Sequence, residues 1–523
     1  MLPGSPTPEP TMRLLLSATL LVAFTATAHA DPGFANLQPG PLAVGWKTVQ
    51  QYDASRTYRG TIDAVTGKAL QGERSRPIQT LVWYPARKGG EPVRYGDYVR
   101  TEATDEAFEL TPAQVAAQAA TARKEIEARL GAAPAAAMLA QRMWAVRDAA
   151  PAAGKYPVVI YAPGVGGPGH EPADLGEYLA SHGYIVIASR NLGARTRMLV
   201  PDSEGVDTQM RDIQFLLSYA RSLPQADMTQ VAVAGWSWGG MTNVFAAERD
   251  SRIRALVSLD GTREPEQTRR IDPHRITVPW LYIQRRPSTV SELSKAGVET
   301  SFSLLNEVAY ADVRQMVMYP MRHGDFSSAA LRLAQPGYFQ EYSRAEVEQA
   351  YHWTARYVLE FLNATLKNDA AGRAFLARAP IENGVPRHMA SIQHAPARPG
   401  PVPNREGFAA ALAQRGFGKA AELYAELHGR NKAFVLTDYE INNWGYALLR
   451  QAGNVQDAIA MFTFGTTLYP DNANLYDSLG EAQEYAGDTA AAVTSYRRSL
   501  ALDPSNVNAA TRVAKLAPVQ ASR

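Results

Sequence analysis

Residues 231–241 read Val-Ala-Val-Ala-Gly-Trp-Ser-Trp-Gly-Gly-Met, and this stretch decides the fold. Its first four residues are apolar, which is typical of a buried parallel strand, and an amphipathic helix is predicted over 242–249. Between the two lies a G-x-S-x-G pentapeptide centred on Ser237. A strand, a sharp turn and a helix in this order form a nucleophile elbow, in which the serine hydroxyl stands above the sheet. Ser237 is therefore the predicted nucleophile.

Strands and helices alternate regularly on both sides of this elbow. The alternation predicts an α/β fold of the α/β-hydrolase type, with a mostly parallel sheet and helices on both faces. The predicted strands are 78–84, 158–162, 184–189, 231–234, 255–259, 280–284 and 315–319. The other predicted helices are 175–181, 207–223 and 346–367.

The histidine partner of the nucleophile is expected late in the chain, because the order on this fold is serine, acid, histidine. His323 lies in a loop directly after the last predicted strand, and such a loop can return an imidazole to the elbow. The other histidines after Ser237 precede the penultimate strand, lie inside the closing helix or lie beyond the sheet: His274, His352, His388, His394 and His428. His323 is therefore the predicted general base, and a structural role in its loop is the alternative.

The acidic residue of the triad often follows the penultimate strand of this fold. Here that strand is followed by Arg285 and Arg286, and the next carboxylate in the chain is Glu292. The strand before it ends in Leu-Asp-Gly, with Asp260 one helix and one strand beyond the nucleophile. Asp260 is therefore the predicted acid, and a turn-capping role is its alternative. Glu292 is the first fallback and Asp325 the second.

A glycine-rich loop at 164–169 follows the predicted strand 158–162 and satisfies the pattern G-x-G-x-x-G of dinucleotide sites. Pro168 and Pro172 interrupt the helix that such a site needs, and no acidic residue follows the next strand. We therefore favour an oxyanion loop, in which the backbone N–H of Val165 acts together with that of Trp238.

Composition narrows the function classes. The chain has 523 residues, of which 46% are hydrophobic and 20% charged, as in a globular protein of several domains. A net charge of +2 gives no argument for nucleic acid or an anionic membrane as partner. The absence of cysteine excludes disulfides and thiolate metal sites, and the histidines are scattered, so neither metal nor cofactor is predicted.

The first 30 residues are predicted to be a signal peptide. Met12 and Arg13 precede an apolar run over 14–28, and residues 28–30 form an A-x-A cleavage pattern. Translation starts at Met1 or at Met12, and an uncleaved anchor is the alternative. No later stretch is long and apolar enough for a transmembrane segment, so we expect an exported protein, periplasmic or secreted.

Residues 31–383 are predicted to form the hydrolase domain, with a β-rich lead-in over 31–96. An alanine-rich block at 101–147 has helical apolar spacing and predicts a helical insertion. Such an insertion either caps an active site or forms a surface hairpin. The proline-rich segment 384–407 is predicted to be a linker.

Residues 408–523 show an internal repeat. Gly453, Ala458 and Pro470 each have an identical residue 34 positions later, which is the period of tetratricopeptide repeats. A degenerate unit at 416–427 precedes them. Each repeat buries its apolar face against neighbouring repeats, and so short an array offers few of them. We therefore expect the repeats to pack on the hydrolase domain or on a second copy of the chain. A groove for a protein partner and a stabilising appendage are the two alternatives for its role.

Several of these stretches together resemble the platelet-activating-factor acetylhydrolase and dienelactone-hydrolase-like group of α/β-hydrolases. The resemblance spans roughly 77–367 and depends on residues 162–166, 179–186, 235–240, 259–260 and 323–326. It implies a carboxylic-ester hydrolase without a metal cofactor, and one branch of the group places its acid as Asp260 is placed here. Members often have His-Gly in the oxyanion loop, where this chain has Pro163 and Gly164.

The sequence therefore predicts an exported serine hydrolase with the triad Ser237, His323 and Asp260 and no cofactor. Its substrate is expected to be a small-molecule or lipid ester, with an acetyl or other short acyl group among the candidates. A serine peptidase and an acyltransferase share the same elbow and stay as alternatives. A binding protein without activity, whose repeats recruit a protein partner or mediate self-association, is the alternative from another class.

Overall fold

The computed structural model describes residues 33–58, 74–261, 265–288, 290–295, 302–451 and 453–516, together with Met1 and Gly4. The apolar run and the A-x-A pattern of the predicted signal peptide lie outside these residues. In the described part of the chain, no helix is long and apolar enough to cross a bilayer.

One mixed sheet forms the centre of the hydrolase domain. Its strands are β1 Ala43–Tyr58, β2 Arg74–Ala86, β3 Pro92–Arg94, β4 Arg142–Arg147, β5 Tyr156–Ala162, β6 Ile185–Ser189, β7 Ala226–Trp236, β8 Ile253–Leu259, β9 Trp280–Arg285, β10 Val313–Met318 and β11 Ala390–Ala395. They are hydrogen-bonded in the order β11-β10-β9-β8-β7-β5-β6-β2-β1-β4-β3. Strands β5 to β10 are mutually parallel, whereas β2 and β11 join them antiparallel.

One set of helices flanks this sheet. A second set follows it and forms a separate helical region at the end of the described chain. In the hydrolase domain they are α1 Tyr95–Val99, α2 Pro112–Leu130, α3 Ala132–Ala140, α4 Ala173–Ser181, α5 Ser203–Ala220, α6 Trp238–Arg249, α7 Pro265–Thr268, α8 Val290–Lys295, α9 Leu304–Glu307, α10 Ser328–Arg332, α11 Arg344–Leu366 and α12 Ala370–Ala377. The later helices are α13 Arg405–Arg415, α14 Ala420–Arg430, α15 Asp438–Tyr446, α16 Val455–Leu468, α17 Ala473–Tyr485, α18 Thr489–Leu502 and α19 Val507–Leu516. The predicted fold class is confirmed.

The middle of the sheet is buried on both faces, which is why its strands are continuously apolar. In β5, Val159 and Tyr161 pack into the core on one face, and Val158 and Ile160 pack into the core on the other. Helices α4 and α11 cover the first face, and α5 and α6 cover the second. The sheet therefore holds the carboxyl ends of β5, β7, β8 and β10 in fixed positions, and the candidate site lies at these ends.

Helix ends follow local sequence signals. Ser343 and Glu346 form a capping box at the start of α11, in which the Ser343 hydroxyl accepts from the Glu346 N–H. Asp202 caps α5 by accepting from the N–H of Gly205. The predicted helices at these places are confirmed with shifts of a few residues at their ends.

Each of the predicted strands lies within or overlaps an observed one, and the largest boundary difference is at β7. That strand begins at Ala226, five residues before the predicted run, and its first residues pair with Tyr156 and Pro157. The early part is polar, with Asp227 and Thr229, so it carries no apolar pattern although its backbone is paired.

Two predicted boundaries are wrong in part. The end of the predicted helical insertion, Arg142–Arg147, forms strand β4, which pairs parallel with β1. Buried side chains alternate with more exposed ones along β4. The predicted linker contains strand β11, which pairs antiparallel with the outer edge of β10. Proline flanks β11 without interrupting it, and a short edge strand tolerates such neighbours.

Helices α13 to α17 pack around a hydrophobic core of their own. A small residue meets a large one in two successive helix pairs: the ring of Phe462 lies on Gly445, and the ring of Tyr496 lies on Gly480. This helical region is consistent with the predicted repeats, whose assignment as tetratricopeptide units stays a prediction.

The helical region touches the hydrolase domain through α14. The guanidinium of Arg430 donates to the hydroxyl of Tyr310 at 2.8 Å and lies over its ring, 5.2 Å from the centroid. The N–H of Arg398 also donates to the carbonyl of Ala309 at 2.8 Å.

Candidate active site

Ser237 lies at the sharp turn between β7 and α6, with φ 55° and ψ −124°. A positive φ is unfavourable for a residue with a side chain and persists only where the surroundings enforce it. The turn is enforced by close packing, because a Cβ on Gly239 would lie 1.9 Å from the carbonyl oxygen of Ala162. A Cβ on Gly235 would lie 2.5 Å from the same oxygen, so both positions require glycine.

The structure brings the three predicted residues together in one hydrogen-bonded chain. The Ser237 hydroxyl lies 2.8 Å from Nε2 of His323, and Nδ1 of His323 lies 2.6 Å from Oδ2 of Asp260. The Asp260 side chain is fully buried, whereas the His323 side chain is 37% exposed. The imidazole is therefore partly exposed to solvent, while its Nδ1 contacts a buried carboxyl group.

Asp260 follows β8 at φ 49° and accepts hydrogen bonds from two directions. Besides the imidazole, the backbone N–H of Arg285 at the end of β9 donates to Oδ1 at 3.2 Å. The Nε of the same arginine lies 3.4 Å from Oδ2. Both carboxylate oxygens of Asp260 are thus held by donors of fixed position.

The fallback acids lie elsewhere. Glu292 is exposed on α8. Asp325 is buried in the 3-10 helix His323–Phe326, where it accepts from the N–H of Arg322 at 2.7 Å and so shapes the turn that carries the imidazole.

Trp236, the residue before the nucleophile, holds the histidine loop. Its indole N–H donates to the carbonyl oxygen of His323 at 2.7 Å, and the two rings lie 5.2 Å apart at an angle of 39°. Sequence reasoning missed this contact. The available signal was an indole donor inside the pentapeptide, but nothing local showed which acceptor it reaches.

The glycine-rich loop lies beside the nucleophile, since a Cβ on Gly164 would be 3.4 Å from the Cβ of Ser237. Asn191 donates to the Gly164 carbonyl at 2.9 Å, and Gln209 donates to the Pro163 carbonyl at 2.8 Å. The loop closes in a turn through Gly167 N–H and Gly164 O, and no helix starts there. This conformation suits an oxyanion loop better than a nucleotide loop.

Of the two predicted oxyanion donors, Trp238 is the first residue of α6, where a backbone N–H has no helical acceptor. Val165 is 41% exposed, and its N–H donates to no acceptor in the described ranges. Both groups are therefore available to a ligand, and their role stays a prediction.

A buried carboxyl group supports the loop from below. Oε1 of Glu171 accepts from the hydroxyl of Tyr161 at 3.0 Å, and Oε2 accepts from the N–H of Gly164 at 3.3 Å. Burial raises the pKa of Glu171 to about 8. A Cβ on Gly167 would lie 2.4 Å from Oε2, so the loop passes directly over the carboxyl group.

Two cavities adjoin the site. One of about 430 Å³ lies between the glycine-rich loop and α2, and Val165 and Trp236 are among its lining residues. The other, of about 420 Å³, lies on the far side of the histidine loop, and charged side chains of both signs line it, with Arg285, Arg322 and Asp325 among them.

The described residues contain no group of three or more histidine, aspartate or glutamate side chains placed to hold a metal ion. The arrangement of serine, imidazole and carboxylate supports acyl transfer by nucleophilic attack, in which His323 carries a proton between nucleophile and leaving group.

Comparison with known proteins supports the assignment to the α/β-hydrolases. The model of a family described as PET hydrolase-like matches residues 141–326, which include Ser237, Asp260 and His323. The match supports the α/β-hydrolase assignment and a carboxylic-ester hydrolase. The predicted acetylhydrolase and dienelactone-hydrolase subgroup stays a prediction.

Two individual proteins are similar over part of the chain. A probable dipeptidyl-aminopeptidase B from Uncinocarpus reesii is 31% identical over 109 residues, which cover 18% of this chain and 12% of that protein. The chain thus spans about an eighth of the length of this curated relative. The structure of a ferulic acid esterase from Streptomyces cinnamoneus aligns with a TM-score of 0.45 at 22% identity, over 63% of this chain and 91% of the esterase.

Proposed function

We propose that this chain is an exported serine hydrolase that cleaves carboxylic esters through an acyl-enzyme. The observation that carries the proposal is the hydrogen-bonded chain from Ser237 Oγ through His323 to Asp260, with distances of 2.8 and 2.6 Å. It stands at a strained elbow next to a loop with an available N–H group. The PET hydrolase-like match over the same residues supports it.

In the first half of the reaction, Ser237 Oγ attacks the carbonyl carbon of the ester while Nε2 of His323 takes the hydroxyl proton. The carbonyl oxygen becomes an oxyanion, which the N–H groups of Trp238 and Val165 stabilise. Loss of one such donor typically costs about 3–4 kcal/mol of transition-state stabilisation. His323 then protonates the leaving alcohol, and an acyl group remains on the serine.

In the second half, water replaces the alcohol. The water oxygen attacks the acyl carbon while His323 takes a proton from the water. His323 then gives this proton to Ser237 Oγ as the carboxylic acid product leaves. Asp260 accepts the N–H at Nδ1 of His323, which fixes the tautomer with an unprotonated Nε2. The buried carboxylate also stabilises the imidazolium that forms in each half.

A fluorophosphonate probe tests this proposal, since it phosphonylates an activated serine. We expect labelling of Ser237 in the wild type and loss of both labelling and p-nitrophenyl butyrate hydrolysis in Ser237→Ala. Ser218→Ala, an exposed serine on α5, is the matched control and should keep both. Labelling at another serine, or hydrolysis by Ser237→Ala, would refute the assignment.

A serine peptidase is the second candidate, because the chain is 31% identical over 109 residues to a probable dipeptidyl-aminopeptidase B. Peptide and ester hydrolysis share the triad and the oxyanion hole. Parallel assays with p-nitrophenyl esters and dipeptidyl p-nitroanilides separate the two. Turnover of the anilides at a rate comparable with the esters would favour the peptidase.

Export and the role of the repeats belong to the same proposal. The A-x-A pattern at 28–30 supports cleavage of a signal peptide and a periplasmic or secreted enzyme. The C-terminal helices are proposed to be tetratricopeptide units that bind a protein partner or a second copy. The 34-residue period and the small-on-large contacts of Gly445 and Gly480 support this assignment.

A further inference from the structure

Helix α2 differs from the other long helices of the hydrolase domain, because none of its 19 residues is fully buried. Its apolar side chains form a half-buried stripe at Val115, Ala119, Ala122 and Ile126, with the spacing of one helix face. A helix normally packs such a stripe against a core. Here Ala122 and Ile126 reach the edge of the hydrophobic core, and the same two side chains line the cavity of about 430 Å³.

Both ends of α2 are attached to the hydrolase domain. Before the helix, Glu109 accepts from the hydroxyl of Tyr52 on β1 at 2.5 Å. At the other end, Nε of Arg129 donates to the carbonyl of Leu333 at 2.9 Å, and the side chain of Gln335 donates to the Arg129 carbonyl. The helix is therefore held across the cavity as its outer wall.

The opposite wall of the cavity adjoins the nucleophile. Val165 and Gly166 of the glycine-rich loop line it, as does Trp236, the neighbour of Ser237. Four apolar side chains add to the lining: Val99, Met138, Ala329 and Leu333. A group attached to a carbonyl at Ser237 can therefore extend into an apolar space under α2.

Three polar side chains of the wall, Glu102, His170 and Arg190, form one paired cluster, while Glu125, Arg129 and Glu171 also line the cavity. Nη1 of Arg190 lies 2.7 Å from Asp105 and 3.0 Å from Glu102, and Nε2 of His170 lies 3.0 Å from Glu102. Each of these side chains except that of Glu102 is less than 10% exposed. A charged ligand group beside this cluster would be desolvated without an unpaired counter-ion, which is unfavourable.

We infer that this cavity binds the uncharged apolar part of the ester, an alkyl or aryl group larger than acetyl, with α2 as its lid. The inference rests on the proposed function and narrows its substrate class. A volume of about 430 Å³ lies in the range of roughly 300–1,000 Å³ found for ligand pockets. An acetyl group would leave most of this apolar space unfilled, so preference for short acyl chains is not expected.

The apolar group belongs either to the acyl side or to the alcohol side of the ester, and two substrate series distinguish these sources. In p-nitrophenyl acetate, butyrate, octanoate and benzoate the acyl group varies while the alcohol is constant. In ethyl, hexyl and naphthyl acetates the alcohol varies while the acyl group is constant. We expect kcat/KM to rise with size by at least about tenfold in one series, because apolar pockets discriminate by 10-fold or more per group.

Ala122→Trp fills the cavity from α2, and Ala120→Trp places the same side chain on the exposed face of the same helix. We expect Ala122→Trp to lower the ratio of kcat/KM for large groups to kcat/KM for acetate by about tenfold or more. Ala120→Trp should behave as the wild type. Ile126→Ala removes side-chain volume, which enlarges the cavity, and it should shift the preference to bulkier groups. This second variant keeps the test open if Ala122→Trp does not fold.

The outcomes separate this inference from the proposed function. If a small fluorophosphonate labels Ser237 and acetate is hydrolysed, but neither series shows a size preference, the inference is wrong and the esterase proposal stands. The same holds if Ala122→Trp and Ala120→Trp change every ester equally. If Ser237 is not labelled and no ester is hydrolysed by a folded protein, the proposed function fails and the inference fails with it.

Discussion

The backbone N–H of Arg285 donates to Oδ1 of Asp260 across the ends of two neighbouring strands, with 3.2 Å between the atoms. In this chain the last residue of β9 thus supplies a donor, and the position after β8 supplies the carboxylate. The two strands together complete one buried site for the acid. Asp260 can therefore hold the imidazole of His323 without a carboxylate on the later strand.

Asp260→Asn is expected to lower kcat by roughly 10⁴ if the site behaves as a protease triad, because the amide favours the wrong imidazole tautomer. KM should change far less, since Asp260 does not face the serine side. Steady-state kinetics with p-nitrophenyl butyrate measure both, and circular dichroism verifies folding. Glu292→Gln and Asp325→Asn are the comparison variants, and a collapse of turnover in Glu292→Gln with near-normal Asp260→Asn would move the acid to the later strand.

Chelators test the prediction that no metal takes part. Overnight dialysis against EDTA should leave ester turnover unchanged, because the proposed chemistry uses only side chains and backbone N–H groups. Turnover that falls in EDTA and returns with a divalent ion would reveal a metal requirement.

The elbow and its sheet were predictable because their signals are local. The apolar run before Ser237 and the glycines around it specify strand, turn and helix, and the structure has all three. Asp260 and His323 could be selected by their places after strands, since strand ends of a parallel sheet meet at one edge. The geometry at these places agrees with the selection, whereas their catalytic roles stay predictions.

Contacts between distant segments carried no such signal. The partners of Trp236 and of the two ends of α2 lie many residues away, and nothing in the sequence near them indicates these contacts. Strand β11 was missed for a related reason, because composition marks proline-rich segments as irregular while pairing depends on an open edge elsewhere.

Trp236→Phe keeps an aromatic ring but removes the N–H that donates to the His323 carbonyl. One hydrogen bond is worth about 0.5–1.5 kcal/mol, so we expect kcat to fall roughly 2- to 12-fold with little change in KM. Trp46→Phe is the control, because the indole N–H of Trp46 is buried on β1 without a partner in the described residues. Equal kinetic losses in both variants would show that the contact does not position the histidine.

Two truncations test the boundary after the hydrolase domain. Ending the chain at residue 403 keeps β11, and the helical core removed is separate from that of the hydrolase domain. We expect this variant to stay folded with a lower Tm, since it loses the Arg430 contact to Tyr310. Ending the chain at residue 389 also exposes the edge of β10, so aggregation is expected. Size-exclusion chromatography and thermal melting measure both, and equal behaviour of the two variants would contradict the role of β11.

Glu171→Gln tests the buried carboxyl group under the glycine-rich loop. Burial raises the pKa of Glu171 from 4.5 to about 8 in the folded protein, so the folded state binds this proton more tightly than the unfolded state does. Between these values the folded state holds more protons, and the free energy of unfolding falls as the pH rises; above about 8 this decrease ends. Glutamine is neutral throughout and accepts the same N–H from Gly164, so the variant should match the wild type near pH 4.5.

The difference should then grow with pH, and the variant should be the more stable protein at pH 8, by an amount on the order of a few kcal/mol. Urea unfolding at several pH values measures this, with each variant compared at the same pH so that other titrating groups cancel. Glu177→Gln is the control, because burial also raises the pKa of Glu177, to about 7, but its carboxyl group accepts from Trp144 and Ala145, away from the loop. Only Glu171→Gln should also change how kcat depends on pH between 7 and 9, because only Glu171 holds the N–H of Gly164 next to the proposed oxyanion donor. A pH profile of kcat identical to that of the wild type would show that the ionisation of Glu171 does not reach the loop.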